Sequence, residues 1–140
     1  MNRLQVNIDA PKAGWLSIRI AGRGGEISVA ASYTPDDGFY DLVSSLRALY
    51  EFGGSRVVRL HEEPDSTEIS FSRIDNKLVI EVANSDREPV RLEAGFDAGC
   101  REFARRFKLL LEEVGYDGFT KEWRHRPPRD EIRKFWQHFE

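Results

Sequence analysis

Residues with catalytic chemistry are few in this chain, and they gather in the tetrapeptide His61-Glu62-Glu63-Pro64. An imidazole that titrates near neutrality beside two carboxylates is material for general acid–base catalysis. On an extended strand side chains alternate, so His61 and Glu63 share a face and Glu62 points away. No nucleophile is assignable to them. His125 and His138 lie far along the chain and give no metal-ligand spacing. No catalytic residue, metal or cofactor is therefore assigned, and the stretch reads as a charged strand end and turn. A small hydrolase or nucleotide-binding enzyme built around His61 and Glu63 is the alternative.

The second chemistry is electrostatic. Asp36, Asp37 and Asp41 cluster where a helix is expected to start, and Glu62, Glu63 and Asp65 lie just past the strand that follows it. Acids in these places serve as helix caps and solvated turns. Were the two groups to meet, Asp36, Asp37, Asp41, His61, Glu62 and Glu63 would form a partner-binding surface suited to a basic protein. The sequence leaves that meeting open.

Three further segments carry motifs with simpler explanations. AGRGG (21–25) has the glycines of a phosphate loop but no following Lys-Ser or Lys-Thr, and a strand rather than a helix comes next. It reads as a hairpin turn. Cys100, the single cysteine, sits early in an expected helix, where the dipole can lower a thiol pKa; with no His or Asp partner identified, it reads as buried packing. KEWRHRPPRDEIRKFW (121–136) mixes basic residues with aromatics, as single-strand nucleic-acid grips do. Yet Ile132, Phe135, Trp136 and Phe139 recur at i, i+3, i+4 and i+7, the stripe of a helix docked on a core. Glu122, Asp130 and Glu131 interrupt the positive charge, so no nucleic-acid partner is expected.

The elements that hold these residues follow from periodicity. WLSIRI (15–20) and ISVAASY (27–33) alternate around the glycine turn and predict a hairpin, with LQVNI (4–8) as an added edge strand. Phe39, Leu42, Val43, Leu46, Leu49 and Tyr50 predict a helix within 33–54, with Thr34 as cap, Pro35 in the first turn and Gly53-Gly54 as the stop. Gly38 weakens that start. Strands follow at 55–62, 67–74 and 77–83, the last two joined at Asp75-Asn76, then a turn at NSDRE and a strand at 89–95. A second helix is expected from Asp97 to Val114, a loop over YDGFTKEW, and a short helix from Pro128 to Phe139. The order ββαββββαα predicts an α+β fold: a mainly antiparallel, twisted sheet of five to six strands with helices on one face. Residues 1–140 form one domain in this reading, with 116–140 a C-terminal loop and short helix docked on it.

Composition narrows the class. The chain is 40% hydrophobic and 32% charged, with three Trp, four Tyr and nine Phe, too aromatic for a disordered segment. The formal net charge of −3 is uneven: residues 1–100 hold 11 Lys+Arg against 16 Asp+Glu, and residues 101–140 hold 10 against 8. A general nucleic-acid binder is usually basic. One cysteine fits a reducing compartment. With no apolar run resembling a signal peptide or the ~20 residues of a membrane span, a cytoplasmic protein without a membrane partner is expected.

The hairpin, the helix FYDLVSSLRALYEFGG, the strand ending at HEEP, the hairpin TEISFSRIDNKLVIEVA and the helix beginning FDAGCREFARRFKLLLEE together resemble small bacterial immunity proteins. The layout is similar to that of the family protecting against the wall-associated protein A toxin, over roughly residues 14 to 114. The resemblance implies a cytoplasmic, non-enzymatic protein that binds and neutralises a cognate protein toxin; it carries no site residues. The expectation is thus a protein-binding module, immunity-like, with an accessory or scaffold subunit docking through the C-terminal helix as a further alternative.

Overall fold

Alternation of apolar and polar side chains builds the strands, and each strand turns its apolar set to a common interior. A computed structural model describes residues 3–84 and 87–140 of the chain. The first sheet holds β1 (Gln5–Ile8), β2 (Trp15–Gly22) and β3 (Gly25–Ser32), in that order and antiparallel. Val6, Ile8, Leu16, Ile18, Ile20, Ile27, Val29 and Ala31 are its buried apolar residues. Helix α1 (Gly38–Phe52) leads to the second sheet, an antiparallel meander of β4 (Ser55–His61), β5 (Ser66–Ile74), β6 (Lys77–Asn84) and β7 (Arg87–Gly95). Three helices close the chain: α2 (Phe96–Val114), α3 (Tyr116–Trp123) and α4 (Arg129–Gln137).

The α+β class and antiparallel pairing are as the periodicity predicts. The described residues hold seven strands in two sheets, where five to six in one sheet are expected. The division comes from β3, which ends one ladder without pairing with β4. Its start lies beside β7, where Arg23 bridges to Glu93, and its end lies beside the end of β4, where Ser32 bonds Glu63. It thus spans the second sheet from one edge strand to the other. Gly24 makes this approach close: a Cβ there would stand 2.1 Å from the carbonyl oxygen of Arg91, and its φ of 111° is a glycine conformation.

Helix α1 packs on β4 and β5, and α2 packs on β1, β6 and β7 while carrying α4 on its other flank. Phe39, Phe71, Phe103, Phe107 and Phe135 meet edge-on or tilted in one continuous core. Tyr50 of α1 stacks on Phe96 and donates its hydroxyl to Asp97 at 2.7 Å. That bond first, then burial, pushes the Tyr50 pKa up to about 12.

Two local expectations are corrected. Asp37, not Thr34, caps α1, its side chain accepting from the Tyr40 amide; Pro35 stands before the helix, after a cis peptide bond. YDGFTKEW is helix α3, not loop. Gly115 and Gly118 hide its pattern, but Phe119 and Trp123, four residues apart, are both buried and hold this helical turn on the core. Of the turn expected at NSDRE, Ser85 and Asp86 lie outside the described residues.

Candidate functional site

The loop leading into α1 and the turn after β4 meet at the end of β3. Ser32, the last residue of β3 and almost fully buried, donates its hydroxyl to Glu63 Oε1 at 3.1 Å. His61 Nε2 lies 3.2 Å from Asp36 Oδ2. Thr67, fully buried on β5, donates its hydroxyl to Glu62, and the Glu62 amide donates to the Asp65 carbonyl at 2.8 Å. The two acidic groups that are separate in sequence are therefore one surface at one end of the molecule.

Its carboxylates divide by role. Asp37 is structural: one oxygen, Oδ1, accepts both from the Tyr40 amide at 3.1 Å and from the indole Nε1 of Trp123 at 2.9 Å, tying the start of α1 to the end of α3. Glu62 is anchored to buried Thr67. Asp36, Asp41, Glu63 and Asp65 face solvent. Among the described residues none of Asp36, Asp37, Asp41, Glu63 and Asp65 forms an ion pair with a lysine or arginine. Elsewhere several acids are matched: Glu68 with Arg59, Glu81 and Glu93 with Arg91, Glu112 with Lys108, Glu131 with Arg47. Asp41 reports the result. Though exposed, its carboxyl is raised above its ordinary pKa, first by desolvation, then by Asp37 and Asp36.

Aromatic side chains border this surface. Trp15, opposite Ser32 in the β2–β3 register, is 41% exposed, and Tyr40 in the first turn of α1 is 46% exposed. Their exposure has a sequence signal: Trp15 alternates onto the polar face of its strand, with Ser17 and Arg19. The buried organisers Ser32, Thr67 and Trp123 have none, because each gains its role only from a residue distant in sequence. Arg124 marks the boundary, its guanidinium lying over the Tyr33 ring at 5.0 Å.

The contacts of the acid–base residues are local to this surface. Among the described residues no serine, threonine or cysteine side chain bonds His61, and no three His, Cys, Asp or Glu residues are grouped to hold a metal ion. Cys100 is fully buried, and burial, with Asp97 beside it, pushes its pKa up to about 12. Its thiol therefore stays protonated throughout the neutral range. Native protein is expected to react with a thiol reagent orders of magnitude more slowly than protein in denaturant. Equal labelling rates in the two states would place Cys100 at the surface.

The basic C-terminal segment is largely spent within the chain. The His125 ring lies 2.6 Å from the Tyr33 carbonyl, Arg129 covers Tyr116 at 5.0 Å, and Arg133 pairs with Asp130 at 3.4 Å. Phe135 is fully buried and Ile132 nearly so. Trp136, expected to be buried with them, is only half-buried at the rim of the α2–α4 groove, with Lys108 over its ring at 5.7 Å. No helix among the described residues is long and apolar enough to cross a membrane. Comparison with family models, with curated proteins and with solved structures finds no match to this chain.

Proposed function

We propose that this chain is a protein-binding module of the immunity type, which docks its acidic end on a basic face of a cognate protein toxin and so neutralises it in the cytoplasm. The observation that carries the reading is the joining of Asp36, Asp41, Glu63 and Asp65 without a lysine or arginine ion pair, next to exposed Trp15 and Tyr40. At Asp41 desolvation and, after it, the like charges of Asp37 and Asp36 raise the cost of the ionised surface, and a basic partner offsets the second of these. Exposed tryptophan and tyrosine are the residue types that anchor interfaces, while surrounding carboxylates steer the encounter. A toxin that cleaves nucleic acid needs a positive face for its own substrate, and an acidic protein that covers this face blocks it.

The test uses the product of the reading frame next to this chain's gene. Co-production of the chain is expected to restore growth to cells making that product, and association of the two proteins is expected to slow as salt rises. Reversing Asp41 and Asp65 together to lysine, neither of whose side chains holds another part of the fold, should lower the association rate about tenfold or more, with little change in the melting temperature. Rescue without either charge effect would take the acidic end out of the interface; no binding and no rescue would reject the immunity reading.

A further inference from the structure

Strand β4 is an edge of the second sheet, and its hydrogen-bond parity can be read from its ends. The Arg73 amide donates to the Gly54 carbonyl at 3.0 Å, and the Glu62 amide to the Asp65 carbonyl at 2.8 Å. Bonded pairs alternate along an antiparallel ladder. Arg56, Val58 and Leu60 therefore bond to β5, while Ser55, Val57 and Arg59 turn their amides and carbonyls away from the sheet. The same parity at β1 turns Val6 and Ile8 outward, and there the chain covers the edge: Glu102 accepts from the Val6 amide at 3.0 Å and Arg106 donates to the Ile8 carbonyl at 3.4 Å. At β7 the β2–β3 turn covers the edge, with Gly24 against the Arg91 carbonyl. At β4 the one such contact among the described residues is from the Arg56 side chain to the Ser55 carbonyl, so the amide and carbonyl of Val57 are left open.

The three most exposed of the large apolar side chains lie on or next to this open edge. Phe52 is 78% exposed at the end of α1, Val57 is 62% exposed in β4, and Ile74 is 47% exposed at the end of β5. Backbone groups in strand register are complemented by another strand, and an open edge bearing apolar residues is a site of strand addition. The run Ser55-Arg56-Val57-Val58-Arg59 suits its own reverse. Laid antiparallel on a copy of itself about Val57, it sets Val57 against Val57, Ser55 against Arg59 and Arg56 against Val58. No two like charges then face each other, although the strand carries two arginines.

We propose that two copies of the chain pair through β4, antiparallel and about a two-fold axis at Val57, joining their four-stranded sheets into one of eight strands. A two-fold contact of this kind is closed, so association stops at the dimer. The proposal is independent of the acidic end: it uses none of those carboxylates, and its test needs no toxin.

Sedimentation velocity of the full chain across the micromolar range is expected to show a species of twice the 16.1 kDa chain mass. Val57→Lys should return it to monomer by placing two ammonium groups at the axis. Val57→Pro should do the same by removing the outward amide while sparing every β4–β5 bond. Should the proline variant fail to fold, Val57→Lys, a change at an exposed side chain, decides, with circular dichroism confirming the parental fold. A parent that is monomeric throughout overturns the proposal and leaves the edge to a strand from another protein. A dimer unchanged in the folded variants overturns it equally.

Discussion

Trp123→Ala is expected to lower the stability of the whole fold by about 3–5 kcal/mol, the usual cost of truncating a large buried aromatic. Trp123 is fully buried, and its indole Nε1 donates to Asp37, the cap of α1. The substitution thus opens a cavity under α3 and removes one of the two bonds held by Asp37 Oδ1. The melting temperature should fall by roughly 10 °C or more for a chain of this size. Trp123→Phe separates the two effects: it keeps most of the ring and loses the bond to a charged acceptor, with an expected cost of about 1.5–3 kcal/mol. A melt of Trp123→Ala within a few degrees of the parent would show that α3 is not part of the core.

Phe135→Ala should cost about as much, roughly 3–5 kcal/mol, because its ring is fully buried among Tyr50, Phe107 and Phe139. Its neighbour Trp136 should cost less, about 1–2 kcal/mol, since part of its surface is already in water and only the covered area counts. Lys134, exposed on the opposite side of α4, should change stability by no more than about 0.5 kcal/mol on truncation to alanine. Thermal melts of the three variants test the order. If Trp136→Ala proves more damaging than Phe135→Ala, the helix is rotated from the orientation described. A nucleic-acid grip would give another pattern: intact stability, with salt-sensitive binding lost alongside the basic residues.

The contrast between Phe135 and Trp136 shows how far a helical stripe can be read. Ile132, Phe135, Trp136 and Phe139 mark the face of α4 that turns inward. They do not say where the neighbouring helix ends. Because α4 lies on the flank of α2, the centre of the stripe is sealed and its margin at Trp136 opens into a groove. Helix α3 shows the opposite failure. Gly118 within it, Gly115 just before it and a single i, i+4 aromatic pair suggest a loop, yet burying Phe119 and Trp123 outweighs weak local propensity.

Chain-local physics determined much of this protein. Alternation over 15–20, 27–33, 67–74 and 77–83 specified strands and their inward faces, since a strand exposes its two sides at a period of two. Asp75-Asn76 and the glycines after Ala21 specified tight turns, because they accept backbone angles that other residues resist. The spacing of Phe103, Phe107 and Leu110 specified α2 and the side it buries. Only the tertiary structure decided that β3, paired with β2 along its whole length, lies across a second sheet instead of joining it, because pairing partners are chosen among strands distant along the chain. The same holds for the site. Asp36 and His61 stand 25 residues apart, as Ser32 and Glu63 stand 31 apart, and no local rule relates them. They meet because α1 carries the chain back along the sheet, setting the end of β4 beside the end of β3. That return joins two ordinary groups of capping and turn acids into one acidic surface.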